Sequence, residues 1–128
     1  MKPADYPSEI SGRVTDYNAE LEQIKAMEKQ DAKMAKARGE VLKIKKESFE
    51  VYANFMSNLN GGRDVDKIRK TVAAQGWYKG MPQIAFVVSK GLPDDIETVS
   101  TTGLKLIYKS VGTYYFEKGT LRSFDKSG

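Results

Sequence analysis

Two short stretches of this chain hold the residue types that chemistry needs. In the first, Asp94, Asp95 and Glu97 follow Gly91-Leu92-Pro93, and clustered carboxylates of this kind hold Mg²⁺ for phosphodiester chemistry. A nuclease built on them would place an acid and a lysine on the next strand, but that stretch reads Leu104-Lys105-Leu106-Ile107-Tyr108-Lys109, without an acid. Proline followed by acids is also how an ordinary helical turn begins. We therefore read these carboxylates as structural, and assign no metal ligand, no cofactor and no catalytic residue.

In the second stretch Arg63, Lys67, Arg69, Lys70 and Lys79 are interleaved with Trp77 and Tyr78. Basic side chains neutralise phosphates and an aromatic face stacks a base, so this set is the candidate polyanion site. Asp64 and Asp66 work against it, because in the first turn of a helix they satisfy the dipole themselves and repel an incoming phosphate. The competing reading is a solvated helix face with Trp77 as a core or hinge residue. Gly61-Gly62-Arg63 is no phosphate loop, since neither G-x-x-x-x-G-K-[ST] nor G-x-G-x-x-G spacing occurs.

Composition narrows the chemistry further. Of 128 residues none is Cys and none is His, which removes thiolate nucleophiles, Cys/His zinc sites, iron–sulfur clusters and His-based triads. Lys plus Arg is 21 against 17 acids, for a net charge of +4. Residues 1–60 are balanced at ten of each sign, so the whole excess lies in 61–128. Such an excess suits a polyanion partner, yet it equally suits solubility alone.

The elements that must position these groups begin with a helix. Residues 8–59 contain no proline and are rich in Ala, Lys, Glu, Gln and Met. In one heptad frame the a positions are Val14, Leu21, Glu28, Ala35, Leu42, Phe49 and Met56, and the d positions Tyr17, Ile24, Asp31, Arg38, Lys45, Tyr52 and Leu59. The four polar members, Glu28, Asp31, Arg38 and Lys45, fall in the middle, near Gly39. A single helix over 13–59 would be roughly 70 Å long, twice the width of a compact globule of this size. We expect it to be continuous rather than folded back at Gly39, because the frame does not slip there and a tight hairpin wants more turn residues than one glycine.

From Val14 to Ile24 the apolar stripe is narrow; from Val41 to Leu59 it broadens to include Val41, Ile44, Val51 and Phe55. A narrow seam suits one partner helix and a broad face suits a globular core. The C-terminal half is thus expected to dock on the chain's own second domain, and the seam Val14, Tyr17, Leu21 and Ile24 to bind a partner. The column Met27, Met34, Val41 and Phe55 is read as ordinary packing.

Asn58-Leu59-Asn60-Gly61-Gly62 should stop this helix, and Asp64 should cap a second, short one that ends at Gln75-Gly76. Gln83 to Ser89 has the content of a buried strand. Further strands are expected near Ile96–Thr101, Leu104–Lys109, Thr113–Lys118 and Leu121–Phe124, with turns at Gly103, Gly112 and Gly119. If Tyr114 and Phe116 face inward, Tyr115 lies on the other face beside Lys105 or Lys109.

These expectations combine into an α+β chain: a long heptad-patterned N-terminal helix, a short second helix, and an antiparallel meander of four to five strands. Residues 1–60 form the helical, coiled-coil-like segment, and 61–128 a small basic α+β domain packed on its C-terminal half. The expected role is non-catalytic. The heptad helix would pair with a second copy (a homo-oligomer) or with another helical protein, and the basic domain would make a second contact, as in a structural component of a larger assembly such as a virus particle, or in a protein inhibitor. Nucleic-acid binding through residues 63–79 is the alternative. No small-molecule substrate and no membrane is expected, since the longest apolar run, Ile84 to Val88, is far short of the ~20 residues that span a bilayer. Without an apolar leader pattern or cysteines, the cytoplasm, or a particle assembled inside the cell, is the expected compartment.

Overall fold

The computed structural model describes residues 1–59 and 64–127, together with the backbone of Arg63. The fold is α+β, with helices followed by a four-stranded antiparallel meander. Asn60, Gly61 and Gly62, read as part of a helix stop, lie outside the described residues. The chain divides into two compact units, Met1–Asn60 and Gly61–Gly128.

In the first unit the heptad-patterned region is not one helix. Two short 3-10 turns lead into α1, Ser11–Met27, and after a turn α2 runs Ala32–Asn58. The break thus falls about ten residues before Gly39, which lies inside α2. The turn is closed by Gln30 and Asp31, whose N–H groups donate to Met27 O at 2.9 and 2.8 Å. Asp31 then caps α2, its Oδ1 accepting the Met34 N–H at 3.1 Å, which satisfies one of the donors a helix start leaves open. A cap residue made this reversal, without any glycine or proline.

The two helices pack on each other. Tyr17 meets Phe49 edge to face at 6.4 Å, and the Glu20 carboxylate pairs with Lys45 at 3.5 Å. As the α1 residue number rises the α2 number falls, so the helices are antiparallel. Their buried residues are Ile10, Val14, Tyr17 and Ile24 on one side, and Ala35, Leu42, Phe49, Tyr52 and Met56 on the other. Every one occupies an a or d position of the single heptad frame. Lys45, a polar d position, is explained by its ion pair at the edge of the seam.

In the second unit α3, Arg63–Ala73, buries Ile68 and Val72. Gln83 to Ser89, expected as a strand, lies within helix α4, Gln83–Lys90. Its buried positions, Ala85, Phe86, Val88 and Ser89, follow helical spacing. A short apolar run does not separate a buried strand from a buried helix; here Pro82 at the entry and Gly91 at φ +87° past the exit enforce the helix. The buried Ser89 hydroxyl donates to Gly76 O at 2.6 Å and ties α4 to the end of α3.

The sheet comprises β1, Asp95–Thr98, β2, Gly103–Tyr108, β3, Gly112–Glu117, and β4, Thr120–Lys126, in sequential order. Leu106, Tyr114, Phe116 and Leu121 are buried on one face. Phe86 of α4 fills the space over them, 4.6 Å from Tyr114 and 5.0 Å from Phe116. Lys105 pairs with Tyr115, so Tyr115 stands on the opposite face beside Lys105. The β3–β4 turn, Lys118-Gly119, has positive φ at both residues, as the right-handed twist of a two-residue hairpin requires.

Candidate functional site

The helix seam is the first candidate. Val14, Tyr17 and Ile24 are buried and Leu21 is half-buried. Tyr17 lies against Phe49, so the surface that covers it is the chain's own α2. The narrow stripe on α1 is matched, as its width implied, by one helix.

The broader stripe behaves differently. Met34, Val41, Ile44 and Val51 are 47, 46, 53 and 50 % exposed. The reading of Met34 and Val41 as ordinary packing is therefore corrected: both face outward. On a helix of 3.6 residues per turn, these four lie about 100° around α2 from its buried seam. Their spacing is 7, 3 and 7 residues, which is heptad spacing again. Arg38 and Lys45 border the stripe on the side of the seam, and Glu40 and Glu47 border it on the other. α2 thus carries two apolar stripes, one covered and one open, with flanks of opposite charge on the open one.

The basic and aromatic set of the second unit is split by the fold. The ammonium of Lys67 sits 4.3 Å from the centre of the Tyr78 ring, a cation–π contact. Partial burial and the charge of Asp64 hold the Tyr78 hydroxyl above its ordinary pKa. Trp77 turns the other way, packing 5.5 Å from Tyr114 and 5.4 Å from Phe124, with 41 % of it exposed. Lys70, Arg69 and Lys79 are exposed, and Arg69 has interactions of its own. The Arg63 side chain lies outside the described residues. The structure therefore joins Lys67 to Tyr78, and Trp77 to the sheet, without gathering the set around one point.

The carboxylates after Pro93 start and enter strand β1 rather than opening a helical turn, and two of them accept backbone N–H groups. Asp94 Oδ2 accepts the Lys109 N–H at 2.7 Å, and Asp95 Oδ1 accepts the Ile96 N–H at 2.8 Å. Among the described residues no group of three or more acidic, His or Cys side chains is placed to hold a metal ion.

A polar network at the other end of the sheet was not anticipated by the sequence. Tyr115 donates to Glu117 Oε2 at 2.5 Å, and the Thr102 hydroxyl donates to Oε1 of the same carboxylate. Both bonds favour the charged acid and hold Glu117 below the usual carboxylate range, while Tyr115 is raised above its ordinary value. Ser100 Oγ accepts the Gly103 N–H at 2.8 Å, and Lys118 N–H donates to Thr102 O at 2.9 Å. The network fastens the β1–β2 turn to the β3–β4 turn. Only the i, i+2 spacing of Tyr115 and Glu117 hinted at it.

Comparison with protein-family models, with curated proteins and with solved structures gives no match. Among the described residues no helix is long and apolar enough to cross a membrane.

Proposed function

We propose that this chain is a non-catalytic interaction or assembly protein whose N-terminal hairpin docks another helix along the open stripe of α2. The single observation behind this reading is the exposure of Met34, Val41, Ile44 and Val51 at heptad spacing on a helix whose other stripe is already covered. Four large apolar residues in one line form the kind of patch that marks a protein contact, whereas scattered ones need no explanation. The flanks, basic at Arg38 and Lys45 and acidic at Glu40 and Glu47, suit a partner helix with the complementary arrangement. A second copy of α2 supplies both the stripe and the charges. The basic second unit makes a separate contact, and the cytoplasm, or a particle assembled inside the cell, is the compartment this reading carries.

The test is solution mass by light scattering, with Val41→Ser, Ile44→Ser and Val51→Ser combined. An oligomer that the triple variant converts to monomer, with unchanged far-UV helical signal, supports the reading. A monomeric parent that captures no helical peptide carrying the same stripe removes it.

The alternative, a nucleic-acid accessory role for residues 63–79, draws on the exposure of Trp77 beside a stretch with Lys67, Lys70 and Lys79. It requires binding that weakens steeply with salt and that Lys67→Ala plus Lys70→Ala reduces without regard to sequence. Undetectable binding to DNA and RNA at low salt ends it.

A further inference from the structure

The turn between α1 and α2 is made of residues that favour helix. Neither Gly nor Pro occurs from Met27 to Ala32, and Glu28, Lys29 and Gln30 are all good helix formers. The bonds peculiar to the turn are few: two N–H groups on Met27 O, and the cap from Asp31, whose backbone is at φ −147°, ψ 82°. Meanwhile the heptad frame passes through the turn without a slip, and the buried residues of both helices keep to it. A frame shared by two separate helices has no purpose in a hairpin, where each helix could hold its own count. It is what one continuous helix requires.

The register sharpens this. The contacts Tyr17–Phe49 and Glu20–Lys45 are both centred on residues 32–33. Two straight helices that cross antiparallel at that point reproduce both pairings, with the second residue supplied by the other chain. In that arrangement Glu28 falls opposite Arg38, so two of the polar interruptions of the frame are of opposite charge and face each other.

We infer that α1 is exchanged between two copies of this chain. The turn at Glu28 to Asp31 straightens, residues 11–58 become one helix about 70 Å long, and α1 of each copy lies on α2 of the other. The exchanged dimer keeps the packing of the hairpin, gives up the Asp31 cap and the turn bonds, and gains helical backbone bonds across the former turn. Short hinges favour exchange of this kind. The inference uses the covered seam and stands apart from docking on the open stripe.

The chain's lack of cysteine makes the test clean. Glu20→Cys is placed in one full-length copy and Lys45→Cys in another that carries a different tag; the two are unfolded together, refolded, and treated with a short bis-maleimide. The double variant within one chain serves as control for reach. Exchange predicts a cross-link between the two tags that increases with protein concentration. Ala32→Pro should reduce it at least about tenfold, because proline fits the first position of α2 but not the interior of a continuous helix. Asp31→Ala, which removes the cap, should increase it. No inter-chain cross-link while the control closes overturns the inference. So does a cross-link and dimer mass unaffected by Ala32→Pro; if the Val41, Ile44 and Val51 triple variant then abolishes that dimer, it belongs to the open stripe.

Discussion

Tyr17 and Phe49 meet edge to face, with ring centres 6.4 Å apart and planes at 83°. This arrangement places the positive edge of one ring on the negative face of the other, and adds to the area the pair buries. It joins two helices whose axial register the neighbouring Glu20–Lys45 pair repeats. That ion pair contributes little by itself, as both side chains are about 40 % exposed. The seam is therefore held by its apolar residues.

Phe49→Ala should cost about 3 kcal/mol or more of the stability of the helical unit, since a large buried ring leaves a cavity. Lys43→Ala, exposed on α2 and outside both apolar stripes, should change stability by less than about 0.5 kcal/mol. Urea unfolding followed by the far-UV helical signal compares the two. Similar losses would mean that the hairpin packing is not as described.

Gly39→Ala should stabilise the protein by about 1 kcal/mol. Gly39 lies in the interior of α2, and a Cβ built there meets nothing within 4 Å. The gain comes from reduced backbone freedom in the unfolded chain and from better helix propensity. A fall in melting temperature would show that Gly39 serves a close approach or a bend that the helix geometry does not reveal.

Gly112 is the opposite case. Its φ is +149°, and a Cβ there would stand 2.3 Å from Asp125 O and 2.7 Å from the Phe124 ring. Backbone and a packed ring cannot both retreat, so Gly112→Ala should cost more than about 3 kcal/mol. Gly119→Ala, at φ +78° in open space, should cost only about 1 to 2 kcal/mol. Thermal melts of the two variants decide the matter, and an equal, small effect would refute the close approach at Gly112.

How much of this was legible in the residues depends on which physical signal each feature leaves. Periodicity reports which face of a segment is apolar, and the heptad frame accordingly located Val14, Tyr17, Ile24, Leu42, Phe49 and Tyr52, all of which are buried. Periodicity does not report what covers a face, so the seam reads the same whether α2 or another helix lies on it. The turn left no breaker, because a cap at Asp31 reverses the chain with residues that also suit a helix. Alternation along β2 and β3 puts Tyr115 on the outer face beside Lys105 or Lys109, and the strand register selects Lys105. The run from Gln83 to Lys90 was too short for its period to be read; the deciding signals were Pro82 and Gly91 at its ends. The Tyr115–Glu117–Thr102 network joins two turns that are distant in sequence, and the i, i+2 spacing of Tyr115 and Glu117 carries no sign of Thr102.

That network has a pH dependence whose sign follows from its bonds. Glu117 must be ionised to accept from both hydroxyls, and its pKa in the folded protein lies below the usual range, first because of Thr102 and then because of Tyr115. A carboxylate depressed on folding contributes stability that is present above its unfolded pKa of about 4.3 and is lost as pH falls through the lower folded value. Tyr115 must stay protonated to donate, and its raised pKa, caused first by the bond to Glu117, means that its share is lost as pH climbs above about 10. Between these limits the bond is intact. Glu117→Gln keeps the shape and removes the charge, so the difference in stability between parent and variant should be constant near neutrality and shrink below about pH 4. Tyr115→Phe should reduce the alkaline limb of the profile, to which Tyr6, Tyr78, Tyr108 and Tyr114 also contribute, and raise the Glu117 pKa toward its ordinary value, which a carboxyl NMR titration reads directly. If the parent and Glu117→Gln lose stability in parallel throughout the acid range, the carboxylate is not held as the structure places it. The fastening of the two turns then rests on the backbone bond from Lys118 to Thr102 alone.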